Sequence, residues 1–171
     1  MTTYIAYVDG ACPNNGKPNA KAGWGAYITN PEGKTLKLAA PVPRDQPQTN
    51  NRAELLAALE ALKRCNKPMP ITLYSDSQLV VKGANEWLHN WKAKGWKNSS
   101  KKPVEHRDLR EQIDQFIQHS KVTFIWVGGH TGNPGNEEAD TLACRGATEE
   151  CVYELIMASR YNVRNRKGGW A

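Results

Sequence analysis

Alternating apolar and polar residues predict three strands at the start of the chain. Apolar side chains recur at every second position over residues 3–9, which is the period of a β-strand. Residues 23–29 and 34–40 show the same strand character, and the turn residues Pro31–Gly33 separate them. Strands joined by short connections predict an antiparallel meander.

Helical and strand patterns alternate over the rest of the chain. Leucines recur at helical spacing after Thr49 and Asn50, either of which can cap the helix. Two later strands are predicted over 71–76 and 121–127. Three more helices are predicted, from Ser77 to about Trp91, over 104–119 and over 136–150. The order βββαβααβα predicts an α/β fold, in which a five-stranded mixed sheet has three antiparallel strands, then two parallel strands reached by helical crossovers.

Composition indicates one globular domain. The chain has 171 residues, of which 39% are hydrophobic and 23% charged, and no apolar run approaches the length of a membrane span. The N-terminus lacks the layout of a signal peptide, so we expect a cytoplasmic protein. Four cysteines without a CxxC pair predict reduced thiols rather than a zinc site or a disulfide framework.

Positive charge is concentrated in one segment. The net charge is +6, and eight Lys or Arg residues stand against three acids between Lys82 and Arg110. The charge indicates a polyanionic partner, and the alternative is a solvated surface loop. Trp87, Trp91 and Trp96 lie within the same segment, where indole rings can pack against bases or sugars while lysines contact phosphates. The alternative is that the tryptophans belong to the core, and we expect a mixture of the two roles.

Four carboxylates stand out by position. Asp9 and Asp76 each end an apolar strand, at the edge of an α/β sheet where ligands bind. Glu54 lies on the flank of the leucine face of its helix, and Asp140 begins a stripe of small residues on another helix. We therefore expect all four to point toward packed surface rather than solvent.

These four acids predict a divalent metal site. Clustered carboxylates repel one another, and a cation relieves that repulsion. Oxygen ligands without a His or Cys cluster favour Mg²⁺ or Mn²⁺ over zinc, and two such ions about 4 Å apart would clamp a phosphodiester displacement. For one acid alone, helix capping or pairing with a lysine is the stronger interpretation. For Asp9 and Asp76 together, a metal site is the stronger interpretation.

A histidine follows in a glycine-rich loop. His130 lies in GGHTGNPGNEE, which leads into the helix of Asp140. Beside a metal site such a residue can move protons or assist product release, and otherwise it is an ordinary surface histidine. Spacing alone does not decide between the two.

The motifs YVDGAC, TNNRAEL, LYSDSQ, WLHNWKAKGWK and GHTGNPGNEEAD occur in that order. Together they resemble type 1 ribonuclease H over residues 4–147. The resemblance implies an RNase H-like fold and an endonuclease that cuts the RNA strand of RNA–DNA hybrids, leaving 5′-phosphate and 3′-hydroxyl ends. It implies that Asp9, Glu54, Asp76 and Asp140 hold two Mg²⁺ ions, with Mn²⁺ as a substitute, and that His130 assists turnover.

The resemblance also implies a hybrid-binding surface. It places Asn15 or Asn14, with Thr49, Asn50 and Asn51, near the minor groove, and it makes WLHNWKAKGWK a basic protrusion that grips the DNA strand. The nucleic-acid contacts expected in and after that protrusion are Trp87, Trp91, Trp96, Lys92, Lys94, Lys97, Lys101, Lys102 and His106. We expect a monomer without membrane association.

The chain departs from the family pattern at three places. The loop reads Gly128-Gly129-His130, whereas relatives often have a lysine before the second glycine. Relatives also often have an asparagine in place of His106 and an aromatic residue in place of Arg110. None of these departures removes an acid. Residues 1–148 form the expected domain, and residues 149–171 are a tail in which 152–156 are predicted to form a short helix.

Two other functions remain open on the sequence. One is a nuclease of the same fold that acts on DNA, against which the amides of TNNRAE stand because they suit recognition of ribose. The other is a hybrid-binding protein without activity. Clustered negative charge argues against it, since such charge does not help a protein bind phosphates.

Overall fold

A computed structural model describes residues 2–66, 68–128 and 132–156, and six strands within these residues form one mixed sheet. The elements are the strands β1 (Tyr4–Ala11), β2 (Gly23–Thr29) and β3 (Thr35–Pro41), the helix α1 (Asn50–Lys63), the strand β4 (Ile71–Ser75), the helix α2 (Gln78–Lys82), a π-helical segment (Gly83–Trp87), the helices α3 (Leu88–Ala93) and α4 (Arg107–His119), the strand β5 (Val122–Trp126), the helix α5 (Pro134–Ala147) and the strand β6 (Val152–Ile156).

The strands lie in the order β5-β4-β1-β2-β3-β6. β1, β2 and β3 pair in antiparallel fashion, whereas β4 pairs parallel to both β1 and β5. This topology confirms the predicted meander followed by two parallel strands. Short connections suffice for the antiparallel strands, and the parallel ones need the helical crossovers that the sequence pattern indicates.

The sheet has one strand more than the predicted five. The short helix predicted over 152–156 is wrong, because this segment is β6 and pairs antiparallel with β3, from Thr35 opposite Ile156 to Ala39 opposite Val152. Val152 and Leu155 have helical spacing, but β3 offers a free edge whose backbone groups need partners. Pairing with that edge prevails over the local spacing.

Helices cover the sheet on both faces. Leu55 and Leu59 of α1 are almost fully buried in one core cluster with Ala26 and Ile28 of β2. Gly25 directly precedes Ala26 and faces α5 instead, where an added Cβ would lie 2.5 Å from the backbone nitrogen of Ala143. Because successive strand residues point to opposite faces, α1 and α5 lie on opposite sides of β2.

The helix predicted from Ser77 begins where expected but is not uniform. Ser77 caps α2 by accepting a hydrogen bond from the backbone N–H of Val80 at 3.3 Å. The helix then widens into the π-helical segment Gly83–Trp87 before α3, and such segments are often found at functional sites. None of the described helices is both long and apolar enough to cross a lipid bilayer.

Candidate functional site

The sheet brings Asp9 and Asp76 together. The parallel pairing of β1 with β4 ends at Val8 opposite Ser75, and the two aspartates are the next residue of each chain segment. The prediction that β1 ends at Asp9 is wrong by two residues, since β1 continues to Ala11 along β2. The two carboxylates nevertheless occupy the edge at which the β1/β4 ladder stops.

Glu54 joins them from α1. The helix approaches β1 so closely that a Cβ on Gly10 would lie 2.5 Å from the backbone nitrogen of Glu54, so no larger residue fits at position 10. Carboxylate oxygens of Asp9, Glu54 and Asp76 all lie within 4.8 Å of one another. We call these three residues the acidic cluster.

Burial makes the acidic cluster electrostatically unfavourable by itself. Burial raises the pKa of Asp9 to about 7, hydrogen bonding with Glu54 opposes that rise, and the charge of Asp76 adds to it. The pKa of Glu54 is also raised well above its usual value, chiefly by burial and then by the charge of Asp9. Both groups are therefore costly to ionise together unless a cation lies between them.

The acidic cluster fits a divalent cation. Asp9 is 3% exposed and accepts a hydrogen bond from the backbone N–H of Gly10 at 2.9 Å, which orients one of its oxygens. Oε2 of Glu54 is buried and has no hydrogen-bond partner among the described residues. A buried carboxylate oxygen without a donor is the kind of ligand that Mg²⁺ or Mn²⁺ takes, and the three residues offer oxygen only.

Asp140 stands apart from this cluster. It lies on α5, and its side chain is exposed, so the expectation that all four acids point toward packed surface is wrong for this residue. Its charge still reaches Asp9, whose pKa it helps to raise. The reason for the difference is that Ala139, Leu142 and Ala143 occupy the sheet-facing side of α5, which leaves Asp140 on its border with solvent.

Trp126, which the sequence analysis did not single out, supports Asp76. Its indole Nε1 donates a hydrogen bond to the backbone carbonyl of Asp76 at 3.1 Å. Ser75 Oγ accepts from the backbone N–H of Ser77 at 3.0 Å, and the Ser75 carbonyl accepts from Val127 at 2.9 Å. These bonds hold the turn that carries Asp76, and an aromatic residue at the end of the neighbouring strand was the available signal.

His130 lies outside the described residues, as do Gly129 and Thr131. Its predicted role in turnover stays a prediction.

A first cleft lies between α1 and α4. It has a volume of about 640 Å³, and we call it the α1–α4 cleft. Its lining includes Asn15, Thr49, Asn51, Arg52, His106 and Arg107. Thr49 rather than Asn50 caps α1, through its side-chain oxygen and the backbone N–H of Arg52 at 3.1 Å. Asn15 Oδ1 accepts from the backbone N–H of Asn50 at 2.9 Å, so the structure places Asn15 rather than Asn14 against the helix.

Arg52 organises the floor of the α1–α4 cleft. It is 5% exposed and donates two hydrogen bonds to Asp108, of 2.7 and 2.6 Å. His106 has a left-handed backbone conformation, with φ of 56°, and its Nδ1 lies 3.4 Å from Arg52. Burial lowers the pKa of His106, and the charge of Arg52 lowers it further. Arg52 was not among the predicted site residues, although a charged residue on the leucine face of α1 was a usable signal.

The basic segment forms a second cleft. Its volume is about 260 Å³, and we call it the tryptophan cleft because Trp87 and Trp91 line it. The other lining residues are Asn90, Lys94, Lys97, Asn98 and Ser99. The two indole rings are tilted by 55°, with centroids 5.8 Å apart. Trp87 is 37% exposed while Trp91 is partly buried, in agreement with the expected mixture of structural and surface roles.

The remaining lysines of the basic segment differ in their surroundings. Lys92 forms an ion pair with the buried Asp114 at 3.1 Å, which engages its charge within the protein. Lys101 and Lys102 are exposed in a loop that an isolated pairing of Lys97 with Pro103 closes. Trp96 is half-buried under the guanidinium of Arg107, whose central carbon lies 5.7 Å from the ring centroid. The lysine charges of this segment that are available to a ligand are thus those at the tryptophan cleft and at the loop tip, rather than that of Lys92.

Known proteins share the sequence pattern and the fold of this chain. The RNase H family model matches residues 1–148. A protein of Cupriavidus metallidurans named ribonuclease H is 46% identical over 146 residues, which cover 85% of this chain and 96% of the relative. A protein of Pseudomonas aeruginosa named ribonuclease HI is 44% identical over 145 residues, which cover 85% and 93%.

Solved structures agree with this assignment. The crystal structure of LC9-RNase H1, described as a type 1 RNase H with the type 2 active-site motif, aligns with a TM-score of 0.76 and 25% identity. The alignment covers 96% of this chain and 82% of that one. The α/β sheet and acidic cluster define a nuclease fold, and the chain belongs to the RNase H family. It is an endoribonuclease, and the predicted type 1 resemblance is confirmed.

Proposed function

We propose that the protein hydrolyses the RNA strand of RNA–DNA hybrids by two-metal-ion catalysis and leaves 5′-phosphate and 3′-hydroxyl ends. The observation that carries this proposal is the convergence of Asp9, Glu54 and Asp76 within 4.8 Å, with Glu54 Oε2 lacking a hydrogen-bond partner among the described residues. The family assignment supplies the reaction class.

Asp9, Glu54 and Asp76 would hold the cations, and Asp140 would complete the set from α5. Mg²⁺, or Mn²⁺ as a substitute, supplies an activated water and neutralises charge that develops on the phosphate. The protein orients the carboxylates through rigid elements: Asp9 by the backbone N–H of Gly10, and Asp76 by the turn that Trp126 fixes. His130 would move a proton or assist product release.

The α1–α4 cleft and the tryptophan cleft would both bind the hybrid. Glu54 follows Asn51 by three residues of α1, which is about 4.5 Å along the helix axis, so the α1–α4 cleft begins one turn from the cluster. Asn15, Thr49, Asn50 and Asn51 offer amides and a hydroxyl toward a minor groove, and the 2′-hydroxyl there distinguishes RNA from DNA. His106 would contact a DNA phosphate in the same cleft.

The tryptophan cleft would hold the DNA strand. The rings of Trp87 and Trp91 offer packing surface, and Lys94 and Lys97 offer charge, as in other surfaces that bind a single strand. Trp96 would add a third ring, which lies under the guanidinium of Arg107. Lys101 and Lys102 would extend the positive surface at the loop tip. Lys92 would contribute through its ion pair with Asp114, which anchors α3.

The broader setting is also part of the proposal. We infer a catalytic domain over residues 1–148 with an appended segment over 149–171, acting as a monomer in the cytoplasm. All four cysteines are free, as a reducing compartment requires.

One substrate panel tests the proposal. A labelled RNA–DNA hybrid, duplex RNA and duplex DNA are each incubated with Mg²⁺ and with EDTA, and the ends of the products are mapped. We expect cleavage only of the RNA strand of the hybrid, and only when Mg²⁺ is present. The products should carry 5′-phosphate ends. Equal cleavage of duplex DNA would instead support a DNA nuclease of the same fold, and binding without cleavage would support a non-catalytic hybrid-binding protein.

A further inference from the structure

We propose that Arg110 is a positioning residue, which fixes Trp91 in the wall of the tryptophan cleft and so sets the affinity for nucleic acid without contacting it. The inference rests on the proposed function, because it assigns a cause to the shape of a surface proposed to bind the hybrid.

Arg110 is a buried cation that the charge of Glu105 favours, although the two residues form no ion pair among those that the structure describes. It lies on α4 and is 6% exposed, and it forms no ion pair within the part of the chain that the structure describes. Its Nε is buried and has no hydrogen-bond partner among the described residues. Burial lowers its pKa to about 10, which leaves the group charged at neutral pH. Such a charge needs a favourable contact to offset its desolvation.

The ring of Trp91 supplies that contact. The central carbon of the Arg110 guanidinium lies 4.6 Å from the Trp91 ring centroid, the shortest of the four cation–π contacts in the described residues. A desolvated cation over an indole is among the strongest of such pairs. Because the attraction acts on both partners, the buried cation holds the ring as firmly as the ring holds the cation.

Gly83 makes room for this arrangement. A Cβ at position 83 would lie 2.2 Å from Nη1 of Arg110, so any other residue there would push the guanidinium aside. Gly83 is also the first residue of the π-helical segment that leads to Trp87. The glycine, the arginine and the tryptophan therefore form one packed unit beneath the cleft.

The position of Trp91 affects the exposed surface of the tryptophan cleft through its contact with Trp87. Its ring contacts that of Trp87, with centroids 5.8 Å apart, and Trp87 is the more exposed of the two cleft tryptophans. The ion pair of Lys92 with Asp114 anchors the same helix, α3, to α4 one residue further along. Arg110 thus acts on the ring itself, whereas Asp114 acts on the helix that carries it.

Two variants separate positioning from direct contact. Arg110→Met removes the cation but keeps a long apolar side chain among Leu88, Ile113 and Phe124, which line the small cavity beside it. Gly83→Ala keeps every charge and displaces the guanidinium. The matched control is Arg64→Met, since Arg64 also lies over a ring, that of Tyr153 at 5.9 Å, but lines neither cleft.

The measurements are the Kd for a hybrid at several salt concentrations with EDTA present, and kcat and KM with Mg²⁺. We expect Arg110→Met and Gly83→Ala each to raise Kd and KM by about threefold to tenfold, with kcat and the salt slope unchanged. Arg64→Met should bind like the wild type. Arg110→Met combined with Trp91→Ala should bind no more weakly than Trp91→Ala alone, because both changes remove the same interaction.

Three outcomes would overturn the inference. A salt slope reduced by about 0.9 in Arg110→Met would show that Arg110 contacts a phosphate directly. Unchanged Kd in both variants would show that the packed unit has no effect on binding, and additive effects of Arg110→Met and Trp91→Ala would show that the two residues act separately. If the wild type failed to cleave any hybrid, the proposed function itself would fail, which the same kcat measurement reveals.

Discussion

Asp9 and Asp76 lie side by side because Asp9 directly follows Val8 and Asp76 directly follows Ser75. Val8 and Ser75 are the last pair of the parallel ladder between β1 and β4. Backbone pairing thus places two carboxylates from distant parts of the chain at one edge, and α1 adds Glu54 to them. The sheet stabilises an arrangement of charge that is unfavourable without a cation. This relationship connects the stability of the protein to metal binding.

The metal-free protein should lose stability as pH rises. The pKa of Asp9 is raised to about 7 and that of Glu54 is raised too, so the folded state binds protons that the unfolded state releases from about pH 4 upward. The associated stability is present below pH 4 and is lost as pH passes about 7. We expect the Tm in EDTA to fall by about 5 °C between pH 5 and pH 8.

Two controls accompany that measurement. Saturating Mg²⁺ should reduce the fall, because cations favour the ionised carboxylates, and Asp9→Asn should reduce it because the amide does not titrate. An equal fall in Asp9→Asn would contradict the assignment of the pH dependence to the acidic cluster.

Lysines of the basic segment should govern the salt dependence of binding. Lys94, Lys97 and Lys101 are exposed, and changing all three to Ala should lower the slope of log affinity against log salt by about 0.9 for each phosphate that a lysine no longer neutralises. KM should rise and kcat should remain that of the wild type, since none of these lysines belongs to the acidic cluster. The matched control changes Lys21, Lys63 and Lys121, which line neither cleft, and an equal reduction of slope there would refute the assignment.

His130→Ala should slow turnover but still allow single cuts. A histidine that assists proton movement or product release affects repeated cycles more than the first bond cleavage. Single-turnover and steady-state rates on one hybrid distinguish these steps. A single-turnover rate as low as that of Asp9→Asn would make His130 essential for the chemistry instead.

Removal of the chain after Glu150 should lower stability and leave substrate choice intact. The truncation deletes β6, exposes the edge of β3 and removes the packing of Leu155 against the core. We expect a lower Tm together with unchanged preference for hybrid over single-stranded RNA. A truncated protein that cuts single-stranded RNA would assign β6 a part in specificity.

The sequence predicted elements whose signal is local. Strand periodicity and the leucine spacing located β1 to β5 and the helices within a few residues, and Asp9 and Asp76 were recognisable because each interrupts or ends an apolar run. Three of the four predicted acids converge as expected.

Features that depend on tertiary packing were not predictable. β6 forms because β3 has a free edge, which no pattern within 152–156 can reveal. Asp140 is exposed because α5 turns its small residues onto the sheet, and the partner of Arg52, Asp108, comes from a distant part of the chain. The π-helical segment likewise begins at Gly83, which packs against Arg110 from a distant part of the chain.

Single-turnover cleavage of a labelled hybrid by Asp9→Asn tests the central claim most directly. The amide nearly matches the carboxylate in shape but lacks its charge, so it should bind the hybrid like the wild type and reduce Mg²⁺-dependent cleavage of the RNA strand by about a thousandfold or more. A variant that retains a tenth of the wild-type rate would contradict the account, because the acidic cluster would then not hold the catalytic cations.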